Sequence, residues 1–200
     1  MIYELGQTLL RPVFASLYRW RVEGREHVPP AGPLIVAANH KSYMDPPLLG
    51  CAVRRPLHYM AKAELFRIPL LGPILPRIYA FPVQRGAADR QAIRTALDIL
   101  KAGGAVALFP EGRRSRTEAL LPPQRGVGLL ALKGGAPVVP AALLGTGRVW
   151  PEGRKLPGLP RLEVRFGPPI SFADLEAAGR DATALAGERI MAAIAALHTS

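Results

Sequence analysis

The chain has 200 residues, 49% apolar and 20% charged, which is the composition of a single globular domain and excludes a disordered segment. Lys and Arg number 26 against 15 Asp and Glu, so a net charge of +11 points to an anionic partner: nucleic acid, an acidic membrane surface or a phosphorylated substrate. Aromatics at 6% do not alternate with basic residues, which argues against nucleic acid; one cysteine, Cys51, excludes an internal disulfide, and four His without zinc spacing give no metal site.

Residues 2–20 read as a helix with two overlapping apolar stripes. One is Ile2, Leu5, Leu9 and Val13; the other is Leu10, Phe14 and Leu17. Pro12 is expected to kink it. Glu4, Gln7 and Arg11 interrupt the apolar run, so neither a bilayer span nor a secretory signal is expected. VPPAGP, 28–33, is a turn, and LIVAA, 34–38, has the length of a buried strand. PPLLGCAV, 46–53, starts a helix on its prolines. LHYMAK, 57–62, and FPVQR, 81–85, are strands. AADRQAIRTALDILKAGG, 87–104, is a helix with Ile93, Leu97 and Leu100 on one face and a glycine stop. AVALFPEG, 105–112, is a buried strand running into a loop. GVGLLALKGG is helical, APVVPAALLG, 136–145, is strand-like, and RLEVRFG, 161–167, alternates as a half-buried strand does. Residues 182–197 close the chain as an Ala-rich helix.

Strands alternating with helices predict a single α/β domain with a largely parallel central sheet. Such sheets bind ligands at the carboxyl ends of their strands. Three strand ends carry chemistry: Asn39-His40 after LIVAA, Glu111-Gly112-Arg113-Arg114 after AVALFP, and Arg85 after FPVQ. Each residue has an ordinary reading as well. A lone histidine usually satisfies local backbone groups, although neutral imidazole can also accept a proton. Asp45 before Pro46 is explained by helix capping, or equally by a carboxylate folding back to orient His40. PEGRRSR, 110–116, is either a solvated basic loop or a phosphate clamp, in which Arg supplies bidentate donors and Gly112 lets the backbone come close. Ser42 and Cys51 are nucleophile candidates, but no GxSxG accompanies them.

Taken together, the segments resemble a known family. NHKSYMD, 39–45, resembles the NHxSxxD block of the glycerolipid acyltransferases, which contains HxxxxD. FPEGRRS, 109–115, resembles their FPEGTRS block, with Arg113 where Thr is usual. FPVQR resembles the intermediate arginine block and VVPAAL, 138–143, the last block. The four occur in family order over roughly residues 34 to 145, and the pattern is most like bacterial lysophosphatidate acyltransferases. The resemblance implies that His40 is the general base on a glycerol hydroxyl and that Asp45 orients it. It further implies that Arg85, Glu111, Gly112, Arg113, Arg114 and Ser115 hold the acceptor, with Lys62 a further candidate. No metal or cofactor is implied. The donor would be acyl-CoA or acyl carrier protein, the acceptor lysophosphatidic acid and the product phosphatidic acid.

On this reading residues 1–22 form an amphipathic membrane-interface helix, with Phe14, Tyr18 and Trp20 flanked by Arg11, Arg19 and Arg21, ahead of an acyltransferase domain over 23–200. The protein would be peripheral on the cytoplasmic face of the cell membrane, at an anionic surface and without nucleic acid. Leu70-Leu71 and Ile74-Leu75 would line an acyl groove or pack in the core. Other acceptors, a lysophospholipid with a head group or an aminoacyl lipid, fit the same blocks. A non-catalytic anionic-membrane binding domain fits the charge, and a hydrolase using water fits His40 and Asp45.

Overall fold

The structure, a computed structural model, describes residues 2–84, 89–151, 156–175 and 181–199. Seven strands among them form one sheet: β1 (Arg21–Glu23), β2 (Leu34–Ala38), β3 (His58–Lys62), β4 (Ala80–Val83), β5 (Ala105–Leu108), β6 (Val138–Leu144) and β7 (Glu163–Phe166). Their spatial order is β1-β7-β6-β2-β5-β3-β4. All neighbours pair in parallel except β6 with β7. The helices are α1 (Ile2–Tyr18), α2 (Asp45–Ala52), α3 (Arg90–Lys101), α4 (Arg125–Lys133) and α5 (Ala182–Thr199). The α/β class and the largely parallel sheet follow from the alternation in the sequence.

Central strands of a parallel sheet are covered on both faces, so their residues alternate between two cores. In β2, Leu34, Val36 and Ala38 face one core with α1 and α2, and Ile35 and Ala37 face the other with α3, α4 and α5. All five are 0% exposed. The helix over 90–101 begins where Asp89 accepts the N–H of Ala92 (2.9 Å). It stops at Gly103, whose φ of +79° suits glycine best.

The first helix departs from the expectation in a specific way. Its aromatics face inward: Phe14 is fully buried, Tyr3 and Tyr18 are buried, and the Phe14 ring lies 5.8 Å from that of Trp20. Each such burial stabilises the domain by about 1.5–3 kcal/mol. The stripe of Ile2, Leu5, Leu9 and Val13 faces out, with Leu5 58% and Leu9 61% exposed, and Leu17 of the other stripe turns out with it at 51%. Arg11 also turns inward, donating to the carbonyls of Cys51 and Val53, while Gln7 donates to Gly50 O (2.6 Å). These side chains satisfy the last carbonyls of α2, which a helix end leaves open. The helix runs through Pro12 without interruption and ends at Tyr18. Residues 21–23 join the sheet, so the expected boundary at 22/23 falls inside β1. No helix among the described residues is long and apolar enough to cross a membrane.

Candidate active site

The loop leaving β2 carries the central pair. His40 Nδ1 lies 2.7 Å from Asp45 Oδ2. The same oxygen accepts the backbone N–H groups of Lys41 (2.6 Å) and Ser42 (2.7 Å). Asp45 therefore turns back to the loop rather than capping α2. The two residues after it explain why it is free to do so. Pro46 and Pro47 have no N–H, so the first turn of α2 presents no donor there for a capping side chain. Asp45 is fully buried and its Oδ1 has no partner among the described residues. A carboxylate accepting from Nδ1 fixes the proton on that nitrogen and leaves Nε2 as the acceptor. The imidazole, 8% exposed, stacks on Phe109 at 4.3 Å between ring centres.

Glu111 sits directly behind this loop at 1% exposure. Its Oε1 accepts the N–H of His40 (2.7 Å) and its Oε2 that of Leu121 (2.9 Å). Each oxygen thus holds one backbone donor, and a negative charge here disfavours a phosphate beside it. Ser115 is likewise turned inward. Its N–H donates to His40 O (2.8 Å) and its hydroxyl to Ala119 O (2.7 Å). Gly112 adopts φ +66°, and a Cβ there would meet Gln124 Cγ at 2.6 Å, so the turn requires glycine.

Arg113 and Arg114 are exposed at the mouth. The Arg114 guanidinium rests 3.6 Å over the Tyr43 ring, which holds the cation without neutralising it. Lys62, at the end of β3, pairs with Glu64 at 3.1 Å. Arg85 lies outside the described residues. His40, Lys62, Glu111, Gly112, Arg113 and Arg114 all border one cavity of about 1420 Å³; Asp45 joins them through His40, and Ser115 does not line it. The cavity extends over the strand ends to both faces of the sheet. It reaches Leu10 of α1 and Cys51 of α2 on one side, and Ile93 of α3 and Val127 of α4 on the other. Cys51 is buried, and burial pushes its thiol up to about 11. Ser42 uses its hydroxyl to accept the N–H of Met44 (3.2 Å). Among the described residues no group of acidic, His or Cys side chains could hold a metal.

Sequence reasoning left three contributors unassigned. Phe109 is the aromatic of FPEG, and Tyr43 lies inside NHKSYMD. Asn39 precedes the histidine and is fully buried, exchanging two hydrogen bonds with the backbone of Leu143 (3.0 and 2.7 Å). An aromatic beside a candidate base was the available signal for Phe109. Nothing in the sequence marks Asn39 as reaching a strand more than a hundred positions away.

Comparison with known proteins agrees with this geometry. The model of the family described as Acyltransferase matches residues 19–144. A 1-acyl-sn-glycerol-3-phosphate acyltransferase of Bacillus subtilis is 33% identical over 174 residues, covering 86% of this chain and 84% of that protein. A lyso-ornithine lipid O-acyltransferase of Pseudomonas aeruginosa is 32% identical over 136 residues, covering 68% of this chain and 51% of that protein. The crystal structure of PlsC, the 1-acyl-sn-glycerophosphate acyltransferase of Thermotoga maritima, superposes with a TM-score of 0.78 at 25% identity, covering all of this chain and 81% of that one. With the family model spanning more than half of its residues and 33% identity to the Bacillus enzyme over 174 residues, the chain belongs to the acyltransferase family.

Proposed function

We propose that the protein transfers a fatty acyl group from a thioester, acyl-CoA or acyl carrier protein, to the free 2-hydroxyl of lysophosphatidic acid, giving phosphatidic acid. The observation that carries this reading is the buried His40–Asp45 pair opening into a large, mostly apolar cavity rimmed by arginines. His40 Nε2 takes the hydroxyl proton as the oxygen attacks the thioester carbonyl. The C–O bond forms, the C–S bond breaks, and the imidazolium returns the proton to the leaving sulfur. Asp45 holds the tautomer and balances the transient positive charge. Arg113 and Arg114, exposed in the cavity mouth, supply the charge for a phosphate. Glu111 and Ser115 act as positioning residues that fix the loop carrying His40.

The lyso-ornithine lipid relative supports a second acceptor class, in which the arginines meet a different head group. The outward aliphatic stripe of α1 supports peripheral attachment to the bilayer that holds such substrates. A donor-by-acceptor matrix with purified protein tests the reading. Transfer to lysophosphatidic acid is expected, and His40→Ala lowers it by ~10²–10⁴-fold. Activity only on acceptors without a terminal phosphate removes the arginine assignment. Release of free fatty acid in place of acylated glycerol indicates a hydrolase, and absence of any transfer leaves a lipid-binding domain.

A further inference from the structure

We propose that the connection between β3 and β4, residues 63–79, is a second membrane-docking element, a finger that enters an anionic lipid leaflet beside α1. Adjacent parallel strands are ordinarily joined by a crossover helix whose apolar face packs on the sheet. Here the connection holds two short 3-10 turns, Ala63–Arg67 and Pro76–Ile78, and no α-helix. Its base packs inward: Leu75 is 7% exposed, and Phe66, Leu71 and Ile78 rest on the core. Its tip points out, with Leu70 86%, Ile68 44% and Ile74 44% exposed.

The finger is a closed turn and not a loose loop. Gly72 donates to Ile68 O (2.7 Å), and a Cβ on Gly72 would meet Phe66 O at 2.2 Å. A fixed turn holding Leu70 in water carries an apolar contact that the fold itself does not use.

Three observations select a bilayer as the occupant. The finger adjoins α1: the 3-10 turn at 76–78 touches that helix, and the Tyr79 ring meets Tyr3 edge-on at 5.4 Å. Exposed Arg67 and Arg77 flank the apolar tip, on a chain of net charge +11, which complements anionic lipid. The same segment supplies Leu65, Leu75 and Ile78 to the wall of the cavity that holds His40, as α1 supplies Ile2 and Leu10. Helix and finger thus border the same opening. This inference rests on the acyltransferase reading, under which the acceptor is a lipid that enters the cavity from the leaflet.

Co-sedimentation with vesicles of phosphatidylcholine and phosphatidylglycerol tests it, comparing wild type, Leu70→Glu and Leu156→Glu, the last at a 78% exposed leucine elsewhere. Leu70→Glu is expected to weaken vesicle partition by about tenfold or more, since it removes one buried aliphatic side chain and adds a charge. Leu156→Glu is expected to leave it unchanged. Both variants are expected to melt as wild type does and to acylate a short-chain, water-soluble acceptor at the wild-type rate. Partition of Leu70→Glu within about twofold of wild type overturns the proposal. So does a change from dimer to monomer in Leu70→Glu at unchanged partition, which identifies a second copy of the chain as the occupant. Failure of the acyltransferase reading is seen separately, as absence of transfer in every sample whatever the partition.

Discussion

Replacing Glu111 by Gln keeps the shape of the side chain and removes its charge. Both carboxylate oxygens accept backbone N–H groups, from His40 at 2.7 Å and Leu121 at 2.9 Å, and the residue is 1% exposed. A glutamine has one oxygen and one NH₂. However it turns, one of the two backbone donors meets another donor. A hydrogen bond to a charged group contributes about 1.5–3 kcal/mol, and a buried unsatisfied donor costs about 1–3 kcal/mol. Taken as partly overlapping, these give a loss of about 3 kcal/mol. For a chain of this size, ~2–4 °C per kcal/mol lowers the melting temperature by about 6–12 °C. Either way the support under the His40 loop is weakened, because Glu111 ties the amide of His40 to that of Leu121, and the imidazole shifts with it. A misplacement of about 1 Å can cost on the order of 10²-fold in rate. Thermal melting by circular dichroism and steady-state kinetics well below the melt check both numbers. The expected pattern is a lower melting temperature and a lower kcat, with acceptor KM changed by less than about threefold. Unchanged stability with a raised acceptor KM refutes the positioning role and returns Glu111 to the acceptor site.

Asp45→Asn separates charge from geometry. An asparagine oxygen can keep its place on His40 Nδ1, with its NH₂ in the partnerless Oδ1 position, so the loss of kcat measures the missing negative charge. A fall of ~10²–10⁴-fold is expected, with vesicle partition retained; a fall below about threefold shows that the carboxylate does not balance an imidazolium. Cys51 gives a pH prediction. Burial raises its thiol from the ordinary 9.0 to about 11, so the folded state holds that proton over an interval where the unfolded chain releases it. The group's contribution to stability is complete below 9.0 and is lost as pH rises through about 11. Urea unfolding across that range is expected to show a decline that is shallower in Cys51→Ala, the buried hydroxyls of Tyr3 and Tyr59, also raised by burial, supplying the rest, and thiolate-directed alkylation of folded protein near neutral pH is expected to be slow.

The sheet was legible because buried parallel strands read as unbroken apolar runs. LIVAA and AVAL are such runs, and β2 and β5 are their strands. RVE, at 21–23, has no pattern, and β1 exists only because β7 offers it an edge. In α1 the period revealed two stripes but not which one the core would take. Ring contacts with Trp20 and Tyr79 hold Phe14 and Tyr3 inward, Leu10 packs beside them, and Leu17 of the same stripe stays exposed. At the site, residue types and spacing indicated His40, Asp45 and the arginines. They could not indicate how buried carboxylates would be used. Asp45 found its partners within its own loop, whereas Glu111 found one 71 positions back along the chain. A sequence cannot separate a carboxylate that meets a ligand from one that anchors a loop, because both need the same residue at a strand end.

Asn39 has a consequence for how this scaffold could be re-engineered. Its amide exchanges two bonds with Leu143 where the β2–β6 ladder stops, acting as one more rung made from a side chain. The height at which the chain departs the sheet is therefore set by strand pairing and not by the connecting segments. Swapping the β3–β4 connection for one of another length would rebuild the rim of the opening while the His40 ring stays at its old coordinates.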